Sequence, residues 1–298
     1  MKIIEYLKQN ISVVLSCILI VVAIVLIAIQ SVIIFSDKNL TQVKYEDLAN
    51  NVNQNQQTQQ NQTNINKDEH YGYTSDDKIV YGDTSDKNGM NHMTYVILDE
   101  YKEAYSINSD MRGWLKITDT VIDYPVMQNE DENYYLYKDF YKNESASGAL
   151  ILDNDSEAGI GTKENGYDIA PTTNTIIHGH TMKNGTMFGN LKKYKDKEYF
   201  EEHKIIEFSS LYEHREYEVI SVFFSQVYKT TDTESFKFYN FFNAKTQEEL
   251  DYWIDNISKL NVHDVEIDAE LGDEFLTLTC CAYHVENGRF VVVAKRIK

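Results

Sequence analysis

Residues 11–35, ISVVLSCILIVVAIVLIAIQSVIIF, form a run of 25 residues without a charge. A helix of that length reaches ~37 Å at ~1.5 Å per residue. A bilayer core of ~30 Å needs about 20 residues, so the run predicts a transmembrane helix with length to spare for tilt. A cleavable signal peptide would carry an apolar region of about 7–15 residues and then a small-residue cleavage site, and none precedes Asp37. Lys2 and Lys8 lie before the run, whereas Asp37 and Lys38 cancel just after it. That asymmetry predicts a single-pass protein of the cell membrane, with the lipid bilayer as one partner. Residues 1–10 are then cytoplasmic, 11–35 the anchor, and everything beyond lies on the extracellular face. Cys17 falls inside the run and reads as an apolar filler.

Outside the membrane the chain changes character. The stretch LTQVKYEDLAN predicts a short helical stub. It is followed by NNVNQNQQTQQNQTNIN, in which 13 of 17 residues are Asn or Gln. Such a tract offers little apolar surface to bury, so residues 36–94 read as a flexible tether. Residues 95–298 are then one domain of ordinary size. The chain has 28 Lys+Arg against 47 Asp+Glu, a net charge of −19. Residues 1–95 hold 7 of the basic and 10 of the acidic residues, so −16 belongs to the outer domain. A phosphate backbone needs a basic footprint, and this balance excludes nucleic acid as a partner.

The outer domain is mainly β. Eight runs rich in β-branched residues stand at 114–118, 121–128, 148–155, 175–180, 204–210, 215–226, 274–281 and 289–298. Eight such runs with polar or glycine-containing gaps suit a closed or nearly closed antiparallel barrel. Helices are predicted at 96–108 and at 246–260. The second opens with the capping-box spacing of Thr246 and Glu249. Its Leu250, Trp253, Ile254, Ile257 and Leu260 recur with helical period, which predicts one inward face.

Three cysteines in 298 residues cannot staple a fold with disulfides. In EFLTLTCC the alternation of a strand puts Leu276, Leu278 and Cys280 on one face and Thr277, Thr279 and Cys281 on the other. The first reads as a core face, with Cys280 a small buried hydrophobe. The second is polar and points Cys281 toward a groove or solvent. Neighbouring cysteines are poor disulfide partners because the bridge strains the peptide between them. A nucleophilic cysteine needs an acid/base and a ligand for the developing oxyanion. IIHGHTM supplies His178 and His180 where an apolar strand ends. Arg289 opens the last strand, so a hairpin between the strands of Cys281 and Arg289 would bring the guanidinium to the thiol. A structural ion pair is the competing role for Arg289.

TLTCC, followed eight residues after Cys281 by Arg289 and then FVVVAKR, resembles the active-site strand pair of the sortases, whose signature is T-L-x-T-C. IIHGHTMKNGTMFGNL is similar to their histidine segment. MRGWLKITDTVIDYPVMQNEDENYYL, SGALILDND and the helix at 246–260 resemble the class B subgroup, and the likeness runs from about 95 to 298. It implies an eight-stranded sortase-type β-barrel with inserted helices. It also implies Cys281 as nucleophile, His180 as acid/base, Arg289 as ligand of substrate and oxyanion, and Thr279 as lining the substrate groove. His178 stands where relatives often carry Tyr, and Cys280 where the signature has Thr. No acidic cluster resembles the calcium site of class A relatives, so neither metal nor cofactor is expected.

The implied activity is a cysteine transpeptidase. It would cleave a C-terminal sorting motif of secreted proteins at a Thr carbonyl and hold the product as a thioacyl enzyme. An amine of a peptidoglycan precursor or cross-bridge would then take the acyl group. Two alternatives use the same residues: a membrane-tethered cysteine endopeptidase, and a sortase that polymerises pilins.

Overall fold

The computed structural model describes residues 11–65 and 95–298. Four α-helices occur in the described residues: α1 (Ile11–Ile65), α2 (Asp99–Ile107), α3 (Lys197–Glu202) and α4 (Gln247–Leu260). Ten strands accompany them. These are β1 (Met111–Lys116), β2 (Asp123–Met127), β3 (Leu150–Leu152), β4 (Ile160–Thr162) and β5 (Gly166–Ile169). They continue with β6 (Asn174–Gly179), β7 (Ile205–Ser210), β8 (Glu216–Gln226), β9 (Phe275–Cys281) and β10 (Gly288–Arg296).

Eight strands close a barrel in the order β1-β2-β3-β6-β9-β10-β8-β7. Each of the eight predicted runs overlaps one of them, although 114–118 and 148–155 contribute only three strand residues each. Two points differ from the expectation. The barrel is not wholly antiparallel, because β2 with β3 and β6 with β9 run parallel. In addition, β4 and β5 form a separate hairpin whose glycine-rich sequence gave no strand signal.

Two apolar layers hold the barrel. Its interior gathers Leu115, Val126, Leu150, Ile177, Leu278, Phe290 and Val292, all essentially inaccessible. The outer face of β8, β9 and β10 has a second layer, built by α4 and the segment before it. There Leu250, Trp253 and Ile257 cover Phe223, Phe275, Val291 and Val293. Trp253 stacks on Phe241 at 4.6 Å between ring centroids. Thr246 caps α4 by accepting the Glu249 N–H at 3.2 Å, as its spacing predicts. The Glu249 carboxylate reaches back to the N–H of Lys245 at 2.7 Å. Leu260 departs from the predicted inward face, standing 40% exposed at the end of the helix.

The tether expected over 36–94 is different over its first part. α1 runs unbroken to Ile65, and the predicted stub is its docked portion. Thr41, Tyr45, Leu48, Ala49 and Val52 are buried against the barrel. Their spacing is one helical stripe, and burying each large apolar side chain contributes about 1.5–3 kcal/mol. That packing carries the weakly helix-favouring Asn/Gln sequence along with it. Residues 66–94 lie outside the described residues.

The transmembrane helix predicted over 11–35 finds no support in the structure: among the described residues no helix is long and apolar enough to cross a membrane. On the apolar part of α1, side chains are described for 15–16 and 18–32; the side chain of Cys17 lies outside that set. Their large apolar members, from Leu15 to Val32, are 48–68% exposed.

One polar cluster ties the end of β10 to the β7–β8 turn and the β4–β5 hairpin. Glu213 accepts from Arg215 Nε at 2.8 Å, from the Lys163 N–H at 2.8 Å and from the Tyr167 hydroxyl at 3.0 Å, and it pairs with Arg296 at 2.9 Å. Burial alone would raise the Glu213 pKa, but the Arg296, Lys163 and Arg215 bonds outweigh it and hold it at about 2. Relative to its ordinary 4.5, this depressed pKa contributes stability that is complete above about pH 4.5 and lost as the pH falls toward 2. Glu213→Gln is expected to destabilise the protein by about 3 kcal/mol at pH 7, because Arg215 is left buried and unpaired. Denaturant unfolding at pH 7 and at pH 3 should show the gap between variant and wild type narrowing at the lower pH.

Candidate active site

Register brings the predicted residues together. In the parallel ladder His178 lies opposite Thr279, and Gly179 opposite Cys280. One step further places His180 beside Cys281, and the Thr181 hydroxyl donates to the Cys281 carbonyl at 2.7 Å, closing that end. On the other side Arg289 is the antiparallel partner of Cys281. His180, Cys281 and Arg289 therefore form one row across β6, β9 and β10, with neighbouring strands about 4.8 Å apart.

The row lies on the outer face of the barrel, just past the layer built by α4. Alternation sends the flanking residues inward, where Cys280 and Phe290 join the interior core. Gly179, between the two histidines, is also an inward position. A Cβ there would meet the Phe188 ring at 2.5 Å and Leu150 at 2.7 Å. Only glycine lets the ring of the TMFG segment pack beneath the His strand.

Each member of the row is held differently. His180 Nε2 lies 2.7 Å from the Leu136 carbonyl, which can only accept, so Nε2 carries the hydrogen and Nδ1 is left for proton exchange. The Tyr137 ring lies beside the imidazole, 6.0 Å between centroids. Arg289 Nη1 donates to the carbonyls of Asn287 at 3.3 Å and Gly288 at 3.1 Å. Among the described residues no carboxylate pairs with it, so the competing structural role is absent there. Cys281 is partly exposed, whereas Cys280 is buried; both thiols are free. Burial pushes the Cys280 thiol up to about 11, against a partial opposing effect of the Thr181 hydroxyl.

The remaining predictions fare unevenly. Thr279 is 1% exposed and its hydroxyl has no hydrogen-bond partner among the described residues, so it does not stand in an open groove. The alternation in EFLTLTCC predicts a polar outer face for β9, but Thr277 and Thr279 are buried there beside the second apolar layer. His178 takes no place in the row and instead pairs with Asp153 at 2.8 Å. Burial would raise Asp153, but the bonds from His178 and from the Asp155 N–H hold its pKa below the usual range. Sequence reasoning missed the Leu136 carbonyl, which leaves no side-chain signal. It also missed Thr181, whose position next to His180 was a usable one. Among the described residues no group of three His, Cys, Asp or Glu side chains is arranged to hold a metal ion.

A cleft of about 640 Å³ adjoins the row on the Arg289 side, between residues 226–235 and Glu286 with Asn287. Neither Cys281 nor His180 lines it. It shares with the site only Asn287, whose carbonyl steadies the guanidinium.

The barrel has counterparts among known proteins. Residues 115–297 match the family described as Sortase domain. A sortase B of Listeria monocytogenes is 32% identical over 208 residues, covering 67% of this chain and 75% of the relative. A sortase B of Staphylococcus aureus is 30% identical over 203 residues with the same coverage. The crystal structure of a Bacillus anthracis protein described as similar to sortase B superposes with a TM-score of 0.56 at 29% identity, covering 68% of this chain and 84% of that one. The chain belongs to the sortase family. Within it the chain is a class B sortase, and hence a cysteine transpeptidase.

The two thiols should differ sharply in reactivity. A thiol with a pKa near 11 is about one part in a thousand thiolate at pH 8. Brief treatment of the folded protein with iodoacetamide at that pH is expected to alkylate Cys281 and spare Cys280, as peptide mass mapping would show. Labelling of Cys280 at a comparable rate would contradict its burial.

Proposed function

We propose that Cys281, His180 and Arg289 carry out a two-step acyl transfer on secreted proteins bearing a C-terminal sorting signal. Cys281 passes its thiol proton to His180 Nδ1 as its sulfur attacks the carbonyl carbon of a Thr residue, and the oxygen that takes up negative charge is held by the Arg289 guanidinium. The tetrahedral intermediate collapses, the C–N bond breaks, and the leaving amine takes a proton from His180. The first product departs and a thioester remains on Cys281. An amine of a peptidoglycan precursor or cross-bridge then attacks that thioester. His180 takes the proton from the attacking nitrogen, the C–S bond breaks, and the secreted protein is joined to the cell wall.

The observation that carries this reading is the single row of the three side chains. Arg289 has no carboxylate partner among the described residues, so its charge is available to a substrate oxygen. The covered outer face beside the row and the adjoining cleft leave an approach from the Arg289 side. Thr279 belongs to this reading as part of the groove floor, reached once a bound peptide opens the layer above it.

The anchor belongs to it as well. On the strength of its uncharged sequence, and not of the described helix, the segment 11–35 holds the enzyme in the membrane with its domain on the extracellular face. Secreted substrates and wall amines both pass there.

Cys281→Ala is expected to abolish thioacyl trapping with a sorting-signal peptide library, while Cys280→Ala keeps most of it. Arg289→Lys should lower kcat/KM by about 10²-fold, since an ammonium cannot reproduce the fork of the guanidinium. Addition of an amine acceptor should convert hydrolysis product into amide product. If product and rate stay unchanged with acceptor, the enzyme is an endopeptidase and the transfer reading fails.

A further inference from the structure

The docked part of α1 meets the barrel where His180 is held. Tyr45 is buried, and its hydroxyl donates to the Gly148 carbonyl at 3.2 Å while accepting the Phe140 N–H at 3.0 Å. One hydroxyl thus joins both ends of the 140–148 loop. Gly148 in turn backs directly onto the carbonyl that holds the imidazole. A Cβ on Gly148 would stand 2.6 Å from the Leu136 oxygen, and its φ is +57°. Thr41 and Ser145, with hydroxyls 3.3 Å apart, pin the same loop nearby.

A second path runs to the backbone of the histidine. Gln42 accepts from the Tyr124 hydroxyl at 3.0 Å, and that hydroxyl accepts the Met187 N–H at 3.3 Å. Met187 bridges to Thr181, and the next residue, Phe188, donates its N–H to the His180 carbonyl at 3.0 Å. α1 therefore touches the support of the ring through Tyr45 and the support of its main chain through Gln42. Neither α1 residue reaches the reacting atoms.

We infer that α1 is a positioning element of the active site, in which Tyr45 and Gln42 set the orientation of His180 through the Leu136 carbonyl and the 181–188 loop. The inference rests on the reading of His180 as the acid/base. Its physical basis is the sensitivity of proton transfer to angle and distance: a misplacement of about 1 Å costs up to about 10²-fold in rate. Loss of the Tyr45 hydroxyl leaves two buried backbone groups to find new partners, and the 140–148 loop, which meets the Leu136 carbonyl at Gly148, shifts to supply them.

The test uses the full chain in detergent micelles, with a trapped sorting-signal peptide as substrate. Tyr45→Phe and Gln42→Ala should each lower kcat for thioacyl formation by about tenfold, with KM within about twofold of wild type. The ¹⁵N signal of the His180 Nε2–H, assigned by its loss in His180→Ala, should shift in both variants. Thr58→Ala, at an exposed position of α1, removes only a bond to the Gln54 carbonyl of the same helix at 2.9 Å and should change neither quantity. Wild-type kcat and an unmoved His180 signal in both variants would overturn the inference. If Tyr45→Phe fails to fold, Gln42→Ala decides alone. Should His180→Ala retain thioacyl formation, the acid/base reading itself falls, a result separate from any behaviour of the α1 variants.

Discussion

The parallel ladder between β6 and β9 is the constraint on which the site depends. Its register decides which residue faces Cys281, and because side chains alternate, a slip of one residue would turn the histidine inward and the small Gly179 outward. Gly179 opposes that slip physically. Its position is filled by the Phe188 ring, and no larger side chain can enter there. The antiparallel pairing of β9 with β10 then fixes the third member without further devices. Two ladders of different direction thus align the Cys281–Arg289 hairpin with a histidine far away in the chain.

Packing and electrostatics reinforce this arrangement from both sides of the sheet. The interior core and the layer under α4 between them cover β9 up to Thr279 on its outer face, and exposure begins at Cys281. The nucleophile sits at the edge of a dry surface, where a substrate can exclude the remaining water and strengthen the attraction of Arg289 for negative charge. On a domain carrying −16, the Arg289 guanidinium meets no carboxylate in the described structure. Arg112 likewise bonds only to Gln128 and to backbone carbonyls, whereas Arg215 and Arg296 share Glu213 and Arg296 also binds Glu274.

Much of this was legible in the sequence because the informative signals are local. The alternation in EFLTLTCC separates the cysteines, and the short loop from Cys281 to Arg289 makes a hairpin, so that pairing could be read directly. The His segment could be placed at a strand end, but not beside β9, because hydrophobic pattern carries no information on strand direction. The docking of α1 was hidden by composition. Tyr45, Leu48 and Val52 form a clear stripe, but it is short and runs into a tract in which Asn and Gln predominate. Tertiary burial decides the structure there, against the local preference. The covering of Thr279 is likewise a tertiary effect, since two threonines beside a cysteine read as a polar face until α4 is laid over them.

Two sulfurs joined by one peptide unit, yet facing opposite sides of a sheet, also define how the enzyme responds to oxidants. A cysteine oxidised to the sulfenic acid is commonly rescued by a nearby resolving thiol. Here the adjacent thiol of Cys280 is turned into the interior, and bringing it round would break the strand pairings of β9 on both sides. Repair of an oxidised Cys281 therefore falls to thiols supplied by other molecules, and the redox state of the surroundings sets the fraction of enzyme that can work.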